Sequence, residues 1–266
     1  MKGFLPGKNP LKEYSISSSA PLNRLHEIAT SLPKLLLTGR VPRTIKSLKK
    51  NELSIEELLV KKSKRDLKLA MVQLSFIAHS FVWGGRKPKE RLPEVIAKPW
   101  VQVARFLGRP PVLSYASYCL DNWFLLEKEP ISLENVGLIN NFLGGVDEDW
   151  FVTVHVCIEH AAAGAVEAAE ALSQCNSDTK EKEIKSLLIK IHKSLVEVIE
   201  IFSRMTERCD PYIYYHRVRP FIFGSKDNPD LKSGLIFENF MKENIFKPLK
   251  MRQTSFTIGK QIALFK

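Results

Sequence analysis

Hydrophobic positions recur with a helical period along most of the chain. Arg65 to Trp83 is the clearest case: Leu67, Met71, Leu74, Ala78 and Phe81 follow the 3.6-residue repeat, and Gly84-Gly85 ends the pattern. Thr179 to Cys209 predicts a long amphipathic helix through Ile184, Leu187, Leu188, Ile191, Leu195, Val198 and Phe202, stopped by Asp210-Pro211. Asp149 to Val166, DWFVTVHVCIEHAAAGAV, predicts a single helix with Phe151, His155, Ile158 and Ala162 on one face. Weaker helical patterns cover Pro21 to Leu37, Gly39 to Asn51, Trp100 to Leu107 and Ser114 to Trp123. Ser54 and Glu57 have the spacing of a capping box. Residues 1–20 read as a loose polar arm, and Glu127 to Glu134 and Gly224 to Gly234 as loops.

Gly and Pro are sparse inside the long periodic segments, so the expected fold class is all-α. A length of 266 residues fits one large or two modest domains, since cores seldom outgrow about 250 residues. The break at Gly144-Gly145 suggests a boundary near 142. The chain is 44% hydrophobic and 26% charged, which excludes a disordered type. Four widely spread cysteines show no metal-site spacing, and three of them sit in helical, partly apolar surroundings where a reduced structural thiol is the default. No apolar run approaches the ~18–20 residues of a membrane span, and the first residues lack a signal-peptide core. A cytoplasmic monomer, with no nucleic-acid or membrane partner, is expected. The net charge of +11 admits nucleic acid, but the basic residues fall in short scattered groups and no nucleic-acid motif is present.

Two stretches carry candidate chemistry. In the first, His155 and Phe151 precede Ala161, Ala162, Ala163 and Gly164, a wall of small residues against which a flat, bulky ligand would lie. Taken alone, the same pattern describes a close-packed helix with a hydrogen-bonded core histidine. In the second, Tyr214, Tyr215, His216, Arg217 and Arg219 set arginines among aromatic rings. That combination suits an aromatic carboxylate, the guanidinium forking to the carboxylate while rings hold the apolar part. A helix end with arginines on carbonyls is the bland alternative. No phosphate loop, nucleophile elbow or zinc-protease motif occurs. Asp147, Glu148 and Asp149 read as a helix start, where acids favour the macrodipole.

Several motifs resemble the indoleamine 2,3-dioxygenase family, its fungal and bacterial-like members in particular. They are FIAHSFVWGG (76–85), LPEVIAKPWVQVARFLGRPPVLSYASYCLDNW (92–123), the helix from Asp149, YYHRVRPFIFG (214–224) and NPDLKSGLIFE (228–238). The resemblance implies a small N-terminal helical domain (1–142) capping a larger helical domain that holds haem b (143–248). It implies insertion of O₂ into the indole ring of L-tryptophan, giving N-formylkynurenine. Phe151 and His155 match the distal face above the iron, His155 falling where relatives carry Ser or His. Tyr115 matches a pocket aromatic, and Tyr214 and Tyr215 fall where many relatives have phenylalanines. Arg219 matches the arginine that pairs with the substrate carboxylate. Ile222 and Gly224 line the same region, and Ala162 and Ala163 become the wall beside the haem. The family continues past this point into a Gly/Ser-rich loop and a helix bearing the proximal histidine. Here the resemblance ends near 248. None of His26, His79, His155, His160, His192 or His216 matches the proximal position, so no metal ligand is assigned. Residues 249–266 are expected to be an unmatched tail, and the chain to be a C-terminally truncated member with apolar faces of its large domain exposed. A catalytically inactive fragment with at most a binding role is the alternative.

Overall fold

The computed structural model describes residues 3–15, 19–177, 179–225, 228–231 and 234–239; the expected tail from 249 lies outside them. The helices are α1 (Ala20–Thr30), α2 (Leu32–Leu37), α3 (Val41–Lys46), α4 (Glu56–Lys61), α5 (Lys64–Trp83), α6 (Glu94–Leu107), α7 (Val146–Ala161), α8 (Ala163–Ser173) and α9 (Glu181–Ser203). Two small pairings interrupt this helical architecture. Parallel β1 (Arg91–Leu92) and antiparallel β2 (Trp123–Leu125) and β3 (Val136–Leu138) are joined late in the chain by β4 (Ile236–Phe237). β1 pairs with β4 and β2 with β3. The all-α expectation holds at the level of the architecture.

Helix α5 is the axis of the molecule. Every residue from Asp66 to Val82 except Lys68 is buried, so the helix is enclosed on all sides rather than half-solvated. Helices α1, α3 and α6 pack around it. One contiguous apolar core runs from Leu5 through Phe76, Trp100 and Phe142 to Leu231, crossing residue 142 without a break.

Because α5 is enclosed, an unpartnered polar side chain on it is costly, and Asp66, Gln73, Ser75 and His79 all have partners. Asp66 accepts from the backbone N–H of Ser15 at 2.6 Å and from the hydroxyls of Ser15 and Ser63. Gln73 accepts from the Tyr14 hydroxyl at 2.8 Å and meets His26 Nδ1 at 2.9 Å. The supposed loose arm is therefore docked, with Leu5 in the core. Lys68 pairs with Asp121 at 2.8 Å, and Arg109 reaches the other oxygen of the same buried carboxylate at 2.7 Å. This pins the connection from α6 to β2.

Other sequence expectations shift for local reasons. The Pro21–Leu37 helix divides into two, with Pro33 in the first turn of the second, where its missing N–H does no harm. Helix α6 starts at Glu94 and continues through Pro99, because Ile96, Ala97, Trp100, Val101, Val103 and Ala104 bury its inner face. Residues 114–123 make only a π-helical turn (Ala116–Leu120) before β2. Asn122 holds that turn open by donating to the carbonyls of Tyr118 and Asn140 and accepting from the Asn140 N–H. At the start of α4 the Ser54 hydroxyl accepts from Glu56 N–H, while Glu57 pairs with Lys61 and closes no capping box. Asp149–Val166 is not one helix. It breaks at Ala162, and α8 turns to pack on α9 where a Cβ on Gly164 would stand 2.6 Å from Ser194 Oγ. The long C-terminal pattern ends at Ser203 and passes into a 3₁₀ turn at Arg204–Glu207.

Helix α9 buries little besides Ser194. Leu188, Leu195 and Ile199 lie on one face at i, i+7 and i+11 and are 53%, 48% and 67% exposed. A contiguous apolar face of this kind promotes association. Replacing Leu188→Glu together with Ile199→Lys is expected to lower concentration-dependent light scattering. Circular dichroism should be unchanged and stability should stay within about 0.5 kcal/mol per site. Unchanged scattering would show that the face is not the sticky surface.

Candidate functional site

The predicted site residues separate into two groups. The first is a buried aromatic stack on α7. Phe151 and His155, one turn apart, have ring centroids 4.3 Å apart, and His155 Nδ1 donates to the Phe151 carbonyl at 2.7 Å. Tyr214 lies over Phe151 at 4.1 Å and 22°, and Tyr115 meets His155 edge-on at 6.0 Å. Aromatic pairs at such spacings contribute about 0.5–1.5 kcal/mol beyond burial. The stack extends through residues that sequence reasoning did not single out. Tyr118 Oη lies 3.2 Å from Tyr214 Oη, and Phe76, Phe142 and Phe221 stack beyond it. Burial holds the phenols of Tyr115, Tyr118 and Tyr214 well above their ordinary value, so all three act as neutral hydroxyls.

Tyr115 donates to Glu159 Oε1 at 2.8 Å. Burial raises the Glu159 carboxyl above its usual range, against the pull of that hydrogen bond. Glu159 was invisible in the sequence because it sits among apolar residues on α7 as any helix-surface acid would.

The second group lies at the surface. Tyr214–Val218 forms a π-helical turn and Arg219–Ile222 a 3₁₀ turn. The Arg219 guanidinium lies 4.8 Å from the Tyr215 ring centroid and 5.8 Å from that of Phe223. No carboxylate among the described residues forms an ion pair with it. Cation–π contact orients a guanidinium but does not neutralise it, leaving its fork of donors for an anion. Tyr215 is about half exposed, Ile222 is buried below the turn, and Gly224 accepts from Asn228 Nδ2 at 3.4 Å. Adjacent residues thus join the groups: Tyr214 points into the stack and Tyr215 out toward Arg219.

His79 joins them a second way. Its Nδ1 lies 2.7 Å from the Phe221 carbonyl and its Nε2 3.3 Å from the Leu113 N–H, two residues from Tyr115. Burial lowers its pKa to about 4, so it is neutral.

Glu148 also departs from expectation. It is not a solvated helix-start acid: it is fully buried and accepts from the N–H groups of Phe142 and Leu143 at 2.8 and 2.9 Å. This fixes Phe142, part of the aromatic stack, to the start of α7. Burial raises Glu148 to about 7 despite those donors.

Two surface clefts, of about 410 and 470 Å³, lie elsewhere. One runs between α3 and α6 and the other beside Trp150; neither is lined by Phe151, His155 or Arg219. The small-residue wall is occupied. Ala163 faces the Gly3 backbone, where a Cβ on Gly3 would stand 3.4 Å from Ala163 Cβ, and Gly164 faces Ser194. Ala162 is the junction of α7 and α8. Among the described residues, the stacking of Tyr214 on Phe151 leaves no slot for a macrocycle beside the buried His155. The residues as packed do not fit a haem.

A helical protein with a buried aromatic–histidine stack beside an arginine held between rings is the class these features define. The family model described as indoleamine 2,3-dioxygenase matches residues 1–255, beyond the 248 reached by the motifs. The chain belongs to the indoleamine 2,3-dioxygenase family. It is 33% identical over 214 residues to indoleamine 2,3-dioxygenase 1 of Rattus norvegicus, a match covering 79% of this chain and 51% of that protein. It is 29% identical to the indoleamine 2,3-dioxygenase of Saccharomyces cerevisiae (84% and 50% covered) and 28% identical to a 6-hydroxytryptophan 2,3-dioxygenase of Fusarium equiseti (89% and 57%). The chain spans about half the length of the curated relatives it matches.

Glu148 sets a pH dependence. Between pH 4.5 and about 7 the native state keeps a proton that the unfolded chain has released, so this contribution is present at low pH and lost as pH rises through 7. Relative to Glu148→Gln, wild-type stability is expected to fall by about 3 kcal/mol across that window, from 1.36 kcal/mol per pH unit. Urea unfolding of both proteins at pH 4 and 7.5 measures it, and parallel curves would refute the assignment.

Proposed function

We propose that the chain forms the substrate-recognition side of a tryptophan-directed dioxygenase. Arg219 binds the carboxylate of the amino acid, Tyr115 and Tyr215 supply aromatic surface for the indole, and Phe151 and Tyr214, which stack on each other, contribute theirs where that stack opens. His155 is the proposed partner of the indole N–H, accepting at Nε2 because Nδ1 donates to the Phe151 carbonyl. The supporting observation is Arg219 itself: it is held on two ring faces without a carboxylate partner among the described residues, on the segment that feeds Tyr214 into the His155 stack. The relatives' names indicate a 2,3-dioxygenase of indoleamines; the proposed reaction is insertion of dioxygen into the indole ring of L-tryptophan to give N-formylkynurenine, and it requires the haem b that the family resemblance implies and that the packing around His155 has to open to admit. The proposed division into residues 1–142 and 143–248 puts Tyr115 on one part and His155 on the other, so the site forms where they meet. No helix among the described residues is long and apolar enough to cross a membrane; a cytoplasmic location and a monomeric state belong to the same proposal.

The closed packing around Ala162, Ala163 and Tyr214 favours a second reading, a catalytically inactive chain that binds the amino acid only. Adding haem and following the Soret band, then adding L-tryptophan, O₂ and a reductant and assaying N-formylkynurenine, separates the two. Product formation supports the dioxygenase reading, whereas L-tryptophan binding without haem uptake supports the second.

Arg219→Ala is expected to weaken L-tryptophan binding about 10- to 100-fold, the value of a charge-assisted pair, and to leave tryptamine, which lacks the carboxylate, unaffected. Calorimetric titration with both ligands measures it. Equal losses for the two would show that Arg219 does not read the carboxylate.

A further inference from the structure

The aromatic stack and the arginine turn arrive from distant parts of the chain, and one side chain touches the backbone of both. His79 is buried near the C-terminal end of α5, edge-on to Trp100 at 6.3 Å and 84°. Trp100 is itself fixed, donating to Ser75 Oγ at 3.1 Å, and Ser75 donates to the Met71 carbonyl at 2.6 Å. The ring of His79 therefore rests on a settled surface of α5 and α6.

Its two hydrogen bonds are of opposite type. The Phe221 carbonyl can only accept, so Nδ1 carries the proton. The Leu113 N–H can only donate, so Nε2 is bare. A single neutral tautomer satisfies both. Phe221 belongs to the turn that opens with Arg219, and Leu113 precedes Tyr115 by two residues. Between the ends of the imidazole, those two backbones are held at one fixed separation.

We propose that His79 is a positioning residue: its neutral imidazole clamps the Leu113 and Phe221 backbones together and so sets the placement of Tyr115 relative to Arg219. The consequence for substrate rests on the reading of those two as ligand-binding residues; the clamp itself does not. Neither Phe nor Leu at this position supplies a donor and an acceptor together. The two amide side chains each supply one end. In His79→Asn the short amide reaches only the Phe221 carbonyl, and in His79→Gln the longer one reaches only the Leu113 N–H.

The test is amide hydrogen exchange followed by NMR on wild type, His79→Phe, His79→Gln and His79→Asn, with L-tryptophan and tryptamine affinities measured alongside. In His79→Phe, the Leu113 amide and those of Phe221 to Phe223 are expected to exchange at least tenfold faster, with rates in α9 unchanged. His79→Gln should restore protection at Leu113 alone, and His79→Asn at the second segment alone. L-tryptophan affinity should fall at least tenfold in His79→Phe while tryptamine affinity holds, because the carboxylate site is displaced. If His79→Phe fails to fold, the Gln and Asn variants carry the comparison with wild type. Wild-type exchange in both segments would overturn the clamp. So would uniform acceleration that includes α9, or identical behaviour of the Gln and Asn variants. A wild-type chain that binds neither ligand refutes the substrate reading, and the exchange rates then decide the clamp by themselves.

Discussion

The enclosure of α5 constrains everything around it. A helix buried on every side cannot leave a polar side chain to water, and this one carries Asp66, Gln73, Ser75 and His79 into the interior. Leaving one such group unpaired costs about 1–3 kcal/mol. These four are met from outside the helix, by the N-terminal arm at Asp66 and Gln73, α6 at Ser75, and two connecting segments at His79, while the buried Ser80 hydroxyl has no partner among the described residues. The half-buried Lys68 adds Asp121 to the set. Polar satisfaction of one helix thereby fixes the path of most of the connections.

The candidate site follows from that constraint. Tyr115 and Arg219 lie on segments with little regular structure of their own, a π-helical turn and a 3₁₀ turn. Such segments hold a geometry only when something else determines it. Asp121 with Arg109 fixes one, His79 touches both, and Glu148 ties Phe142 into the stack from below. Aromatic stacking then fills the space between with Tyr118, Tyr214 and Phe151. The outcome is a densely filled interior beside a half-exposed arginine.

The proposal for Arg219 draws on two kinds of observation. The motif YYHRVRPFIFG carries the resemblance, and the geometry shows a guanidinium oriented by two rings and left without a carboxylate partner among the described residues. They diverge over the small-residue wall. Ala162, Ala163 and Gly164 looked like the side of a ligand slot, yet Gly3 and Ser194 occupy the space that their small size leaves. Small residues permit close approach by any neighbour, and composition cannot say whether the neighbour is a ligand or another stretch of backbone.

The sequence by itself determined the helical class, the extent of α5 to within one residue, and the pairing of aromatic with basic residues near Arg219. Those are local properties: a 3.6-residue period and a run of neighbouring side chains survive translation into structure because they depend on residues a few positions apart. Tertiary structure alone decided that the N-terminal arm is docked, that α6 runs through Pro99, that the helix of His155 breaks at Ala162, and that Glu148 and His79 are buried connectors. Those features depend on partners far apart in the chain, His79 and Phe221 being 142 residues apart. A histidine or glutamate reads the same in sequence whether water or a backbone amide finally satisfies it.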